Sequence, residues 1–197
     1  TGDVFSVGGD TSPDRPYVTY TGLTPIDEAR LIIDGIIDLQ VPFICAVNGH
    51  AIGLGSTIAS LSDVSFVVPG AKFGDPHVLA GLPAGNGSAL IWPLLVGVNT
   101  AKKLLMTGEI MTSDTAVSLG LLSEVVTDGD VLDAALDFAA TMVALPPQAV
   151  QGTKATIHLL LRAAADLLMD FSLNAEREAM NHPDFLAALE AMHQTED

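Results

Sequence analysis

The chain has 197 residues, 8 of them Lys or Arg against 24 Asp or Glu, for a formal net charge of −16; 16% are charged and 49% hydrophobic. So few, scattered cations exclude a nucleic-acid surface or an anionic membrane surface, both of which need a basic patch. The hydrophobic share excludes a disordered chain, and the length predicts one domain with a substantial core.

Residues 1–20 are rich in Gly, Asp, Ser, Thr and Pro and read as a strand end running into a long loop. Thr24, followed by Pro25 and then Asp27, resembles a capping box with proline in the first helical turn. Ile26, Ala29, Ile32, Ile33, Ile36 and Ile37 recur at helical spacing and predict an amphipathic helix over 25–39. The apolar runs 41–47 and 64–68, closed by Asn48-Gly49 and Pro69-Gly70, predict buried strands. Between them Gly49, Gly53 and Gly55 form a turn that opens a helix, which aims free backbone N–H groups and the positive end of the helix dipole at one spot. A second glycine-rich stretch, 81–87, opens a helix at Ser88. Helical patterns follow at 100–106 and 113–118, with a strand at 121–126. From about 130 to 193 the chain reads as nearly all helix, broken at Pro146-Pro147 and His182-Pro183. Its stripe Leu159, Leu160, Ala163, Leu167 and Phe171 packs either on the chain's own core or on neighbouring subunits.

The longest apolar run, 88–98, is interrupted by Pro93 and falls far short of the roughly 20 residues a membrane span needs. Cys45 stands alone, which excludes an internal disulfide and a cysteine zinc site, and a cytoplasmic location fits. The five histidines show no ligand spacing, so no metal is expected.

Three segments carry a resemblance: Phe5-Ser6-Val7-Gly8-Gly9-Asp10, the stretch from Val41 to Ser65, and the stretch from Lys72 to Val98. Together with Thr107-Gly108-Glu109 and the run from Leu119 to Val126, they resemble the enoyl-CoA hydratase/isomerase (crotonase) superfamily over nearly the whole chain. The resemblance implies an α/β fold, a spiral of ββα units over 1–128, followed by a helical oligomerisation region over 129–197. It also implies that the first strands of the core are missing ahead of Thr1, and a homotrimer or dimer of trimers. No permanently bound cofactor is implied; coenzyme A enters as part of an acyl-CoA substrate. Carried over by motif, the backbone N–H groups of Gly9 and Leu54 form an oxyanion hole for a thioester carbonyl. Such donors act on charge that develops in the transition state.

The departures from the family pattern bear on the reaction. Its hydratases place glutamates at the positions of Thr57 and His77. Thr57 has no pKa suited to moving a proton, whereas an imidazole near its reference pKa of about 6.5 serves as acid or base. His77 is therefore the expected proton-transfer group. Asn86 lies nine residues on, where the β-diketone hydrolase subset of the superfamily looks similar but carries an Asp. An amide can orient a water or a histidine but cannot be a base. Asp10, Thr57, Asp75 and Glu109 complete the candidate substrate-binding set: Asp75 as a replacement carboxylate beside His77, Asp10 as a loop cap, and Glu109 facing the acyl pocket. The usual basic handles for coenzyme A are sparse, leaving Arg15, Lys72, Lys102 and Lys103. The expected function is stabilisation of an acyl-CoA enolate with non-standard acid/base residues, leading to hydration, dehydration or a double-bond shift. The alternatives are hydrolytic C–C cleavage of a β-diketone by His77 and Asn86, and a non-catalytic family member.

Overall fold

The computed structural model describes residues 2–9, 19 and 21–193. Short strand β1 (Val4–Ser6) precedes helix α1 (Pro25–Asp38). Strands β2 (Ile44–Val47) and β3 (His50–Ile52) lead into α2 (Leu54–Leu61), and β4 (Val64–Val67) and β5 (Lys72–Gly74) into a short helical turn, His77–Ala80. Helices α3 (Ser88–Val96) and α4 (Val98–Thr107), strand β6 (Ile110–Thr112), helix α5 (Ser113–Leu119) and strand β7 (Glu124–Val125) complete the α/β part. Three helices end the chain: α6 (Val131–Val143), α7 (Pro147–Ala179) and α8 (Pro183–His193).

The strands form two sheets, one ordered β1-β3-β5-β6 and the other β2-β4-β7. All pairs are parallel except β5 with β6. Strands β3, β5 and β6 have only three residues each, too few to show alternation, and β3 falls inside the stretch that the sequence reads as a glycine turn. The core beneath is built from Ile33, Val47, Phe73 and Trp92, with Phe73 and Trp92 stacked at 5.8 Å.

Helix α1 forms as its sequence dictates. The Thr24 hydroxyl accepts from the Asp27 N–H at 3.2 Å and donates to the Asp27 carboxylate at 2.6 Å, and Ile26, Ala29, Ile33 and Ile37 are buried on one face. Helix α7 lies antiparallel along it. Arg162 bonds Asp34 at 2.7 Å, Asp170 bonds Arg30 at 2.6 Å, and Arg177 bonds Asp27 at 3.0 Å, so rising numbers on one helix meet falling numbers on the other.

The helical breaks at Pro147 and Pro183 stand where the sequence puts them. The packed face of α7, however, is Ala165, Met169 and Leu173, and the stripe singled out in the sequence points away: Leu167 and Phe171 are exposed, as are Leu159 and Leu160. Both stripes have helical spacing; α1 decides between them, because the arginines that reach its aspartates fix the rotation of α7. No helix among the described residues is long and apolar enough to cross a membrane.

Candidate active site

A cavity of about 760 Å³ opens between the β1 end, the α2 N-terminus, the His77–Ala80 turn, α1 and the two last helices. Gly9, Leu54, His77, Asn86, Glu28 and Glu176 all line it, among mostly apolar neighbours such as Ile26, Leu82 and Phe185.

Two glycines position the β1 end against α2. Gly53 precedes the helix with φ of +58°, a conformation that a residue with a Cβ rarely adopts, and this sharp entry presents Leu54 as the first helical residue. The N–H groups of a first helical turn have no partner inside the helix. Gly55 meets β1 so closely that a Cβ there would lie 2.5 Å from the Ser6 carbonyl oxygen. The Gly8–Gly9 segment accordingly lies beside Gly53 and Leu54: a Cβ on Gly8 would stand 3.7 Å from the Leu54 nitrogen.

On the other wall, β5 ends at Gly74 and the chain turns through Asp75-Pro76-His77. The Asp75 carboxylate accepts from the His77 backbone N–H at 3.2 Å, an Asx turn, and from the ring nitrogen Nδ1 of the same histidine. This local bond orients the imidazole and directs Nε2 to the Asn86 amide at 3.0 Å. Glu176, delivered by α7, brings a carboxylate oxygen to 3.9 Å from the same Nε2. Gly85 makes room for it, since a Cβ there would collide with the Glu176 carboxylate. Thr57 and Ser88 stand behind, their hydroxyls 2.8 Å apart, with Thr57 at 3.5 Å from the Asn86 carbonyl oxygen.

The cluster is deeply buried: Asp75 is 1% exposed and Glu176 5%. Burial opposes ionisation of Asp75, yet the hydrogen bond and charge of His77 outweigh it and hold the carboxyl below its ordinary range. Burial likewise disfavours the His77 cation, but Asp75 and then Glu176 raise its pKa. For Glu176 burial wins over the attraction of His77, and its pKa is pushed up to about 7. One oxygen each of Asp75 and Glu176 is buried without a hydrogen-bond partner. An imidazole whose proton affinity its carboxylate neighbours raise, beside a carboxyl pushed up to about 7, faces one cavity as a pair of groups able to give and take protons.

Of the residues expected from sequence, His77, Asn86, Gly9 and Leu54 border the cavity, and Asp75 holds His77 from behind. Thr57 is wholly buried and is not among the lining residues; it reaches Asn86 rather than the cavity. Glu109 is not brought to the site. Gly108 ends α4 in the left-handed conformation and the next side chain turns outward, pairing with Lys103 at 3.1 Å. Asp10 and Arg15 lie outside the described residues. Lys72, Lys102 and Lys103 are exposed and none of them lines the cavity. Glu176 is the residue that sequence reasoning missed. Its signal is a lone carboxylate in register with the buried face Ala165, Met169 and Leu173, where a solvated side chain has no place.

A family model described as enoyl-CoA hydratase/isomerase matches residues 2–191. The short-chain-enoyl-CoA hydratase of Clostridium acetobutylicum is 32% identical over 187 residues, covering 95% of this chain and 72% of that protein. The probable enoyl-CoA hydratase EchA17 of Mycobacterium tuberculosis is 31% identical over 156 residues, which are 79% of this chain but 59% of the relative's length. Among solved structures, an enoyl-CoA hydratase/isomerase from Mycobacterium paratuberculosis superposes with a TM-score of 0.89 at 33% identity, covering 96% of this chain and 76% of that one.

Proposed function

The chain belongs to the enoyl-CoA hydratase/isomerase family, and from that premise we propose that it moves protons next to the carbonyl of an acyl thioester, with the Asp75–His77 pair and Glu176 in place of the usual two glutamates. The N–H groups of Gly9 and Leu54 hold the carbonyl oxygen as it gains negative charge, which lowers the barrier to an enolate-like state. His77, kept upright by Asp75, and Glu176 share the proton work. One takes or gives the proton at the α-carbon, and the other handles the proton of a water or of the leaving hydroxyl. Hydration, dehydration and a shift of the double bond all draw on these same two steps.

The observation that carries this reading is the convergence of His77 Nε2 and a Glu176 carboxylate oxygen, 3.9 Å apart, on the cavity that Gly9 and Leu54 also line. It supplies two proton-transfer groups despite Thr57. The names of the relatives support a thioester of coenzyme A as substrate.

A second reading is hydrolytic cleavage of a β-diketone. The contact favouring it is the 3.0 Å approach of Asn86 to His77, which sets an amide beside a carboxylate-backed imidazole able to activate water. Mixing the protein separately with a short-chain enoyl-CoA and a cyclic β-diketone distinguishes the two. Loss of enoyl absorbance supports the thioester reaction; consumption of the diketone alone rules it out.

A further inference from the structure

Thr57 occupies the position from which a glutamate would act in the family's hydratases, yet it is wholly buried behind the cavity wall, and its hydroxyl meets the Ser88 hydroxyl and the Asn86 carbonyl oxygen. Those partners form a chain. Ser88 lies 2.8 Å from Thr57, Thr57 donates to the Asn86 carbonyl oxygen at 3.5 Å, Asn86 Nδ2 faces His77 Nε2 at 3.0 Å, and His77 Nδ1 bonds Asp75. Ser88 also faces the Asp75 carboxylate; with its proton given to Thr57 instead, every donor in the chain points the same way and the last acceptor is the Asp75 carboxylate.

An asparagine amide has two faces. Its NH₂ can only donate, and so suits the lone pair of a neutral imidazole; its carbonyl oxygen can only accept, and so suits an imidazolium. Which face meets His77 is decided by what sits on the far side of the amide. On that far side stands the Thr57 hydroxyl, whose proton is free for the Asn86 oxygen once Ser88 bonds it. We infer that Thr57, backed by Ser88, is a positioning residue that holds the Asn86 amide with its nitrogen toward His77 and thereby opposes protonation of Nε2.

The charged groups around His77 all press the other way. Asp75 contacts Nδ1, Glu176 stands 3.9 Å from Nε2, and Glu28 lines the same cavity. Each of these carboxylates favours the imidazolium when ionised. The Thr57–Asn86 clamp opposes them, because the amide N–H occupies the Nε2 lone pair that an added proton would take. An aspartate at position 86 could not do this, because an ionised carboxylate has no donor to offer a neutral ring. The family's usual glutamate at position 57 is thus replaced by a group that tunes the base instead of supplying one.

The inference rests on His77 as the proton-transfer group, but its test needs no turnover. The ligand-free full chain, labelled in its histidine rings, is titrated by NMR, and the His77 signal is assigned by its loss in His77→Gln. Thr57→Val is expected to raise the His77 midpoint by on the order of half to one pH unit, the equivalent of one lost hydrogen bond. Thr57→Ser is expected to restore it, Ser88→Ala to raise it by less, and Asn86→Asp to raise it most. An unchanged or lowered midpoint in folded Thr57→Val overturns the inference. If Thr57→Val does not fold, Thr57→Ala, which leaves Ser88 and its contact with Asp75 in place, decides: a rise supports the clamp and no change overturns it. A His77→Ala protein with undiminished turnover would instead sink the proposed function and leave the titration result standing.

Discussion

Helix α7 carries a histidine–carboxylate cluster near each end, and the two are built to opposite specifications. Near its start, His158 bonds the Ile37 carbonyl oxygen at 2.7 Å with Nδ1 and Asp63 at 3.1 Å with Nε2. The same Asp63 takes Lys154 at 2.6 Å and the Phe43 backbone N–H at 2.7 Å, and Lys154 also reaches the Val41 carbonyl oxygen at 2.9 Å. Every member has its partners, although Lys154 and His158 also border a smaller hollow of about 210 Å³. Eighteen residues on, about 27 Å along the helix axis, Glu176 faces His77, which Asp75 backs, with one oxygen of each carboxylate unpartnered and a cavity of about 760 Å³ alongside. A saturated polar cluster fixes backbone positions and has nothing left to offer a ligand. A cluster short of partners, against a cavity, holds protons it can exchange.

That contrast is testable from both ends. The largest expected effect is on chemistry: His77→Ala lowers kcat by about 10²-fold or more, measured by the loss of enoyl absorbance, with unchanged circular dichroism. At the opposite end, Asp63→Asn leaves Lys154 buried without a counter-charge and lowers stability by about 3 kcal/mol in urea unfolding, while the folded fraction keeps its turnover. A loss of turnover as deep as that of His77→Ala would erase the distinction between the clusters.

Glu176→Gln bears on both stability and activity. Because the folded protein raises the carboxyl from its ordinary value of 4.5 to about 7, the wild type binds a proton that the unfolded chain releases, and its stability falls as pH rises from about 4.5 to 7. Below that window the carboxyl contributes no penalty, and above it the penalty is constant. Glutamine removes this dependence. The variant therefore melts on the order of 5 °C above wild type at pH 8, with the gain vanishing near pH 4. Its kcat falls about tenfold or more, with loss of the limb that Glu176 gives the pH profile.

The smallest structural change tests the other wall. Gly55→Ala forces β1 away from α2, since its Cβ would press on the Ser6 carbonyl. The Gly9 and Leu54 donors then separate; full loss of one such donor lowers kcat about 10²- to 10³-fold, and this partial separation is expected to lower it by less. Substrate KM is expected to move much less.

Much of this was open to a reader of the sequence, and the reasons differ by residue. Glycine and proline punctuate the chain at Gly53, Gly55, Pro76 and Gly87, so the turns that expose Leu54, His77 and Asn86 are local and legible. Helix α1 announces itself by Thr24-Pro25 and its isoleucines. Strands β3, β5 and β6 do not, because three residues carry no period. Glu176 is hidden for another reason: its partner His77 is remote in sequence, and only the docking of α7 on α1 through Arg162, Asp170 and Arg177 turns it inward. The same docking turned the Leu159–Phe171 stripe outward, which no count of helical spacing could decide. Asp75 stands between these cases: its place two residues before His77 is local, but its burial is set by the packing around β5.

The most direct measurement is turnover of a short-chain enoyl-CoA by wild type, His77→Ala and His158→Gln side by side, each scored against its folded fraction. The two-cluster account predicts that the wild type consumes the substrate, that His77→Ala is slower by about 10²-fold, and that His158→Gln stays within about twofold while melting lower. Equal losses in the two variants, or a His77→Ala protein as fast as wild type, would contradict it.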